Sequence, residues 1–308
     1  MRNLLLLLLI STSLASCDED FLSQTLEIDP PEYDKQLVMH GFGAHPDSSF
    51  NVYLTRNFGI LENVPDTAWA IPNGLVELYE EGQKKATLGY VPGINGRYVV
   101  PTQAGLFQPG KRYELRAEAP GFDAVSAQQV MPYPVQVDSV RFRPSAGLDA
   151  DGTKLSAVDV FLKDEPGVEH FYEIRVVILY PIIEFHYDGQ GNQIIDTVGY
   201  QEYTIEPIDS DDPNAELTFG GGIAVSDRFF DGKSYRFSAR IYNYANTGYR
   251  FKVRVRSVTE EYFLWGISAQ RKYDTEDFPF ADPVTTYTNL DKGIGLFGLG
   301  NEQVFVVE

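Results

Sequence analysis

Cysteine is almost missing from this sequence: 308 residues contain one, Cys17. A lone thiol excludes an intrachain disulfide, a Cys-based zinc site and a Cys-Cys redox motif. Histidine is nearly as scarce, limited to His40, His45, His170 and His186. No His-x-x-x-His pair and no Gly-x-Ser-x-Gly elbow occurs, so zinc-hydrolase and serine-hydrolase readings lack their usual local signals. Positive charge is short as well, and the formal net charge of -19 excludes nucleic acid as a partner unless a local basic stripe overcomes the field of the whole chain. Methionine is rare beside 19 tyrosines and 20 phenylalanines, a balance that favours sheets over helical bundles. The apolar run Leu4 to Ile10 is too short to span a bilayer.

That run has a different use. A short n-region, Met1-Arg2-Asn3, precedes it, and small and polar residues follow, ending in Leu14-Ala15-Ser16-Cys17. The pattern reads as a signal peptide over 1–16. Its ending resembles the lipobox of bacterial lipoproteins, in which the Cys thiol receives a diacylglyceryl group and becomes the new N-terminus. Two or three acyl chains hold a protein stably on a membrane, since each buried methylene contributes about 0.8 kcal/mol. Asp18, Glu19 and Asp20 follow directly, an acidic cluster resembling the signal that sends Bacteroidota lipoproteins to the outer face of the outer membrane. The plainer reading is that these acids keep a flexible tether solvated. Residues 17–34 form that tether, all-negative from Asp18 to Asp34 and stiffened by Pro30-Pro31.

Beyond the tether, period-two alternation dominates and predicts an all-β fold of two sandwich-like domains. Tyr113, Leu115 and Ala117 alternate with charged neighbours, as do Phe50, Val52 and Leu54 with Asn51, Tyr53 and Thr55. Turn signals at Asn73-Gly74, Glu81-Gly82, Asn95-Gly96, Pro109-Gly110 and Pro120-Gly121 separate the candidate strands, as hairpin connections require. We place an N-terminal domain at 35–132 and a C-terminal β-rich domain at 133–308, divided at Met131-Pro132-Tyr133-Pro134, where two residues lack an N–H. A phase change between Val137 and Val140 predicts a bulge or a switch of sheets. Tyr172 to Tyr180, apolar on nearly both faces, predicts a central strand. One helix is predicted at about 260–273, with Ser257 and Glu260 resembling a capping box and Phe263, Leu264 and Ile267 as its apolar stripe.

Several phrases together carry a family resemblance: Leu37-Val38-Met39-His40-Gly41, Gly96-Arg97-Tyr98, the stretch Tyr113 to Phe122, Val137-Asp138-Ser139-Val140, and Asn289 to Gly298. In these the chain resembles domain-of-unknown-function family 4249 over almost its whole mature length. The resemblance implies a Bacteroidota outer-membrane lipoprotein, commonly encoded near TonB-dependent receptors, with a receptor-like β-barrel as partner. It supplies no catalytic signature. The N-terminal block is also similar in rhythm to transthyretin-like and carboxypeptidase-regulatory-like sandwiches, which supports a binding role only by analogy.

Candidate sites are few. Asp149 and Asp151, and Asp209, Asp211 and Asp212, offer the hard oxygens that calcium prefers, but neither group continues into an EF-hand, and solvated Asx turns explain them as well. Tyr187 to Asn192 reads as a hairpin tip. Charge is segregated along the chain: no Lys or Arg lies between Arg175 and Arg228, and then Lys233, Arg236, Arg240, Arg250, Lys252, Arg254 and Arg256 come without one acid among them. The expectation is a basic hairpin turned at Asn246-Thr247-Gly248. Either it docks on an anionic partner such as lipopolysaccharide phosphate, or it is a wet face, or it pairs with the acidic segment inside the fold. Trp69 is assigned to a loop and Trp265 to the core. The expected function is a non-enzymatic accessory or binding subunit of an outer-membrane complex, without cofactor beyond the lipid on Cys17. The alternative is a stand-alone surface protein that binds a glycan or another ligand.

Overall fold

The computed structural model describes residues 32–308 except 48, 60, 61, 66, 67, 94, 101–104, 245–248 and 279. Cys17, Asp18, Glu19, Asp20 and the turn at Asn246-Thr247-Gly248 lie outside the described residues. The chain divides into two units. Of the smaller, residues 32–34, 58, 59, 62 and 63 are described. There the Tyr33 hydroxyl donates to the Glu62 carboxylate, and the Glu62 N–H donates to the Gly59 carbonyl at 2.9 Å.

The larger unit, Lys35–Asn57 with Val64–Glu308, is mostly β, with sandwich-like sheets and one α-helix near its C-terminal end among the described residues. Its strands are β1 (Leu37–His45), β2 (Phe50–Arg56), β3 (Leu75–Glu80), β4 (Gln83–Tyr90), β5 (Arg97–Val100), β6 (Arg112–Glu118), β7 (Val125–Val130) and β8 (Gln136–Arg143). There follow β9 (Leu155–Lys163), β10 (Phe171–Tyr187), β11 (Gln193–Ile205), β12 (Glu216–Thr218), β13 (Gly222–Ser226), β14 (Ser234–Tyr242) and β15 (Arg250–Val258). The helix α1 (Glu260–Thr275) and the last strand β16 (Ile294–Val307) complete it.

Thirteen strands form one hydrogen-bonded path, β12-β13-β10-β15-β16-β1-β2-β5-β4-β3-β6-β7, with β11 attached to β10. Inward residues of β1, β2 and β5 share an apolar cluster with those of β3, β6 and β7, so the path folds over on itself about β4. Alternation along β6 is as predicted, with Tyr113, Leu115 and Ala117 fully buried. A separate three-stranded sheet, β14-β9-β8, covers the other end of the path. Val158, Val160, Leu162, Phe237, Ala239 and Ile241 face Ile174, Val176, Phe251, Val253 and Val255 across this second core. The register of β8 against β9 shifts between Val137 and Ser139, where the phase change predicted a bulge or a switch of sheets.

Carbonyls of Pro132, Tyr133 and Val135, in and just after the proline-rich stretch at 131–134, accept from side chains. The Ser257 hydroxyl donates to the Tyr133 carbonyl, Asn301 Nδ2 to Pro132 at 3.3 Å and Gln303 Nε2 to Val135 at 2.5 Å. A segment that cannot ladder is thus held by β15 and β16. Ser257 therefore does not cap the helix as expected. Thr259 is the N-cap, without a side-chain bond to the helix, and its backbone pairs with Leu299 at 3.0 Å. The buried helix face is Tyr262, Gly266 and Ile267, rotated from the predicted stripe, because Phe263 and Leu264 stay half-buried.

Candidate functional site

Phe171–Leu179, the first half of β10, is central: β15 pairs with it on one side, β13 and then β11 on the other. Burial on both faces follows, as its continuous apolar run requires. From Tyr180 onward β15 ends and only β11 remains, so Tyr180–Tyr187 and Gln193–Gln201 form a two-stranded arm. Almost every residue of that arm is exposed. Yet its composition is that of a core strand: Ile182, Ile183, Phe185, Tyr187, Ile194, Ile195, Val198 and Tyr200 are all exposed large hydrophobics.

Cross-strand register sorts them. Phe185 stands opposite Ile195, with Ile183 and Tyr187 two residues to either side on the same face. The other face mixes Ile182, Ile194 and His186 with Glu184 opposite Asp196. His186 Nδ1 lies 3.4 Å from the Asp196 carboxylate. The tip is an Asx turn, since Asp188 Oδ1 accepts from the Gln190 and Asn192 N–H groups, each at 2.8 Å. Bonds from the Asn192 side chain and these amides hold the Asp188 carboxyl below its ordinary range. The hairpin-tip reading of residues 187–192 holds.

The segregated charges meet inside the fold, in two places. The expected basic hairpin does not form, because β14 pairs with β9 in the small sheet while β15 pairs with β10 and β16 in the long path. Lys233 is exposed just before β14. Arg236 reaches Asp159 at 3.0 Å and Asp211 at 3.2 Å, Arg143 bridges the same two acids, each at 2.9 Å, and Arg240 pairs with Asp209. Arg250 meets Glu308 at 3.0 Å, and Lys252 meets Glu202. Arg254 and Arg256 hold Glu302 at 3.1 and 2.6 Å, and Arg256 also reaches the buried Glu173 at 3.1 Å. Lys252, Arg254 and Arg256 do share a face, with Phe251, Val253 and Val255 buried opposite, but that face is occupied by carboxylates of this same chain.

The calcium candidates are used internally in the same way. Asp149 accepts from the Asp151 and Thr153 N–H groups at 3.0 and 2.7 Å, an Asx turn in which Asp151 is exposed. Asp209 and Asp211 face arginines, and Asp212 accepts from the Tyr235 hydroxyl at 2.7 Å. Trp69 is exposed, as expected. Trp265 is only half-buried and lines a groove with His40, Phe219, Tyr273 and Tyr287. Its ring lies 5.8 Å from that of His40 and 5.9 Å from that of Phe219, and its buried Nε1 has no hydrogen-bond partner among the described residues. Burial lowers the His40 imidazole pKa.

The hairpin tip at 187–192 was legible in the sequence, but the isolation of the strands that flank it was not. Apolar content on both faces ordinarily marks a central strand, and nothing local tells the chain that its neighbour β15 stops at Arg250.

Among solved structures, the chain is similar to a tetra-tandem repeat in the extending region of a large adhesion protein, at 12% identity and TM-score 0.22 over 89% of this chain and 74% of that one. The collagen adhesin of S. aureus matches at 8% identity and TM-score 0.18, over 89% and 94%. The collagen-binding domain of the Erysipelothrix rhusiopathiae surface protein RspB matches at 7% and 0.18, over 88% and 95%. No curated protein matches the chain. The family model described as "Domain of unknown function (DUF4249)" matches residues 23–305, and the chain therefore belongs to that family, as its phrases predicted.

Proposed function

We propose that the protein is a non-enzymatic surface lipoprotein, anchored through Cys17, that serves as the accessory subunit of an outer-membrane complex and docks through the β10–β11 arm. The observation that carries this reading is the arm itself. A two-stranded ribbon is marginal alone in water, and an exposed apolar cluster on one of its faces, Ile183, Phe185, Tyr187 and Ile195, is the mark of a covered one. Among the described residues its outer strand β11 pairs with β10 alone, leaving an edge that another strand can extend. The arm carries Glu184, Asp188, Asp196 and no Lys or Arg, which selects a partner surface with basic residues around an apolar patch. A β-barrel of the TonB-dependent-receptor type, with long loops at the membrane surface, supplies such a partner next to a lipid anchor.

Affinity purification of the full chain from membranes in mild detergent tests this. A large outer-membrane β-barrel should co-elute with the wild type and be lost from the Phe185→Ser/Ile195→Ser variant, whose folded stability stays within about 0.5 kcal/mol because both side chains are exposed. Equal recovery of the barrel with both proteins would sink the docking role of the arm. A second reading, a stand-alone glycan-binding protein, is favoured by the groove at Trp265, where aromatic rings and a buried unpartnered N–H suit a sugar face and its hydroxyls. It predicts a monomer that binds oligosaccharides and loses them on Trp265→Ala.

A further inference from the structure

Three side chains meet where the two sheets of the second core join. Asp164 directly follows β9, His170 directly precedes β10, and Asp227 opens the 3₁₀ turn Asp227–Phe229 that follows β13. His170 Nδ1 stands 3.2 Å from Asp164 Oδ1 and 3.3 Å from Asp227 Oδ2. The three ligand atoms lie within 4.8 Å of one another.

Two features set this cluster apart from the other buried acids. The Asp164 and Asp227 side chains are 0% and 2% exposed, yet neither has a Lys or Arg within ion-pair distance among the described residues. Glu173, Asp159 and Glu302, buried to a similar degree, all face arginines. Two buried carboxylates without a countercharge are costly unless a cation stands between them. The second feature is the imidazole. His170 Nδ1 is shut off from solvent and makes no hydrogen bond, although carboxylate oxygens of Asp164 and Asp227 lie 3.2 and 3.3 Å away. With its proton on Nε2, an imidazole offers the Nδ1 lone pair as a metal ligand.

We propose that Asp164, His170 and Asp227 bind a divalent transition-metal cation, with zinc as the best fit. Zinc bonds of about 2.0–2.2 Å place neighbouring ligand atoms of a tetrahedron about 3.3 Å apart, the spacing from His170 to both carboxylates. One imidazole with two carboxylates suits zinc better than calcium, which takes oxygen alone. The ion's double charge cancels both carboxylates.

The surroundings hold the ligands in place. The Tyr172 hydroxyl donates to Asp164 Oδ1, the Gly232 N–H to Asp164 Oδ2 at 2.7 Å, and the His170 N–H to Asp227 Oδ2 at 2.7 Å. By joining the end of β9 to the start of β10 and to the turn after β13, the ion clips the small sheet to the long one.

The full chain, purified without a histidine tag and stripped with chelator, is titrated with zinc chloride by calorimetry and melted with and without the metal. One zinc per chain is expected, with a Tm rise of about 5 °C at a hundred-fold excess over Kd. His170→Ala should weaken binding at least ~10-fold and abolish the rise, while His186→Ala, which removes the arm's exposed imidazole, leaves both unchanged. If His170→Ala does not fold, Asp227→Asn, of the same shape, reads out the same loss. Absence of any Tm rise in the wild type overturns the site. Undiminished zinc binding by the folded variants overturns it as well.

Discussion

Glu173 has no exposed side-chain surface, and it keeps its charge because Arg175 and Arg256 stand at 3.0 and 3.1 Å while Thr218 donates at 2.8 Å. Burial alone would raise its carboxyl, but the two guanidinium groups outweigh burial and hold it below the usual range. Replacing Glu173 by Gln leaves the largely buried Arg175 without a carboxylate and Arg256 with Glu302 alone, and urea unfolding should show a loss of about 3–5 kcal/mol. Arg256→Gln should be similarly damaging, which separates it from a surface docking residue, whose loss would leave stability unchanged. The pH dependence follows in sign. A carboxyl whose folded pKa is depressed adds stability that is complete above its unfolded value of about 4.3 and is lost as pH falls through the folded value. The wild-type Tm should therefore drop steeply as pH falls below about 4, and the Glu173→Gln melting profile should be flatter in that window.

Among the elements, β16 depends on one backbone position. Gly295 has φ +128°, a conformation that side-chain-bearing residues rarely adopt, and an added Cβ would overlap the Met39 carbonyl oxygen across the parallel β1·β16 pairing. Gly295→Ala should cost about 1–3 kcal/mol or more, seen as a lowered Tm and faster amide exchange in Val38–His40. Such a change acts on the ladder itself. The arm behaves oppositely: Ile183, Phe185 and Ile195 stabilise nothing in the chain alone, so their replacement by Ser should move partner binding and not Tm.

For the molecule as a whole, β16 is the shared member. Its first half, Ile294 to Asn301, pairs with β1, and its second half, Gly300 to Val307, pairs with β15. Phe297 and Leu299 fill the first core, while Phe305 and Val307 pack against the second. A strand common to two cores couples them, so heat should unfold the larger unit in one transition reported alike by near-ultraviolet circular dichroism and tryptophan fluorescence. Deleting residues 294–308 should abolish that cooperative transition, because both clusters then open to water. Two separated transitions in the intact chain would contradict the coupling.

Alternation along β2, β6 and β15 fixed which residues turn inward, and proline and glycine placement fixed where strands end, because these are properties of one strand and its nearest neighbours in the chain. The family, the all-β class, the helix at 260–275 and the irregularity in β8 were all legible at that range. Three features were not. Arg236 and Arg240 lie on a different sheet from Arg254 and Arg256, the arm outruns its neighbour, and Asp164, His170 and Asp227 converge. Each depends on which strands become neighbours after distant segments pair, and charges or ligands dozens of residues apart carry no local record of that choice. Periodicity settled the faces of the strands; only the tertiary pairing decided what those faces meet.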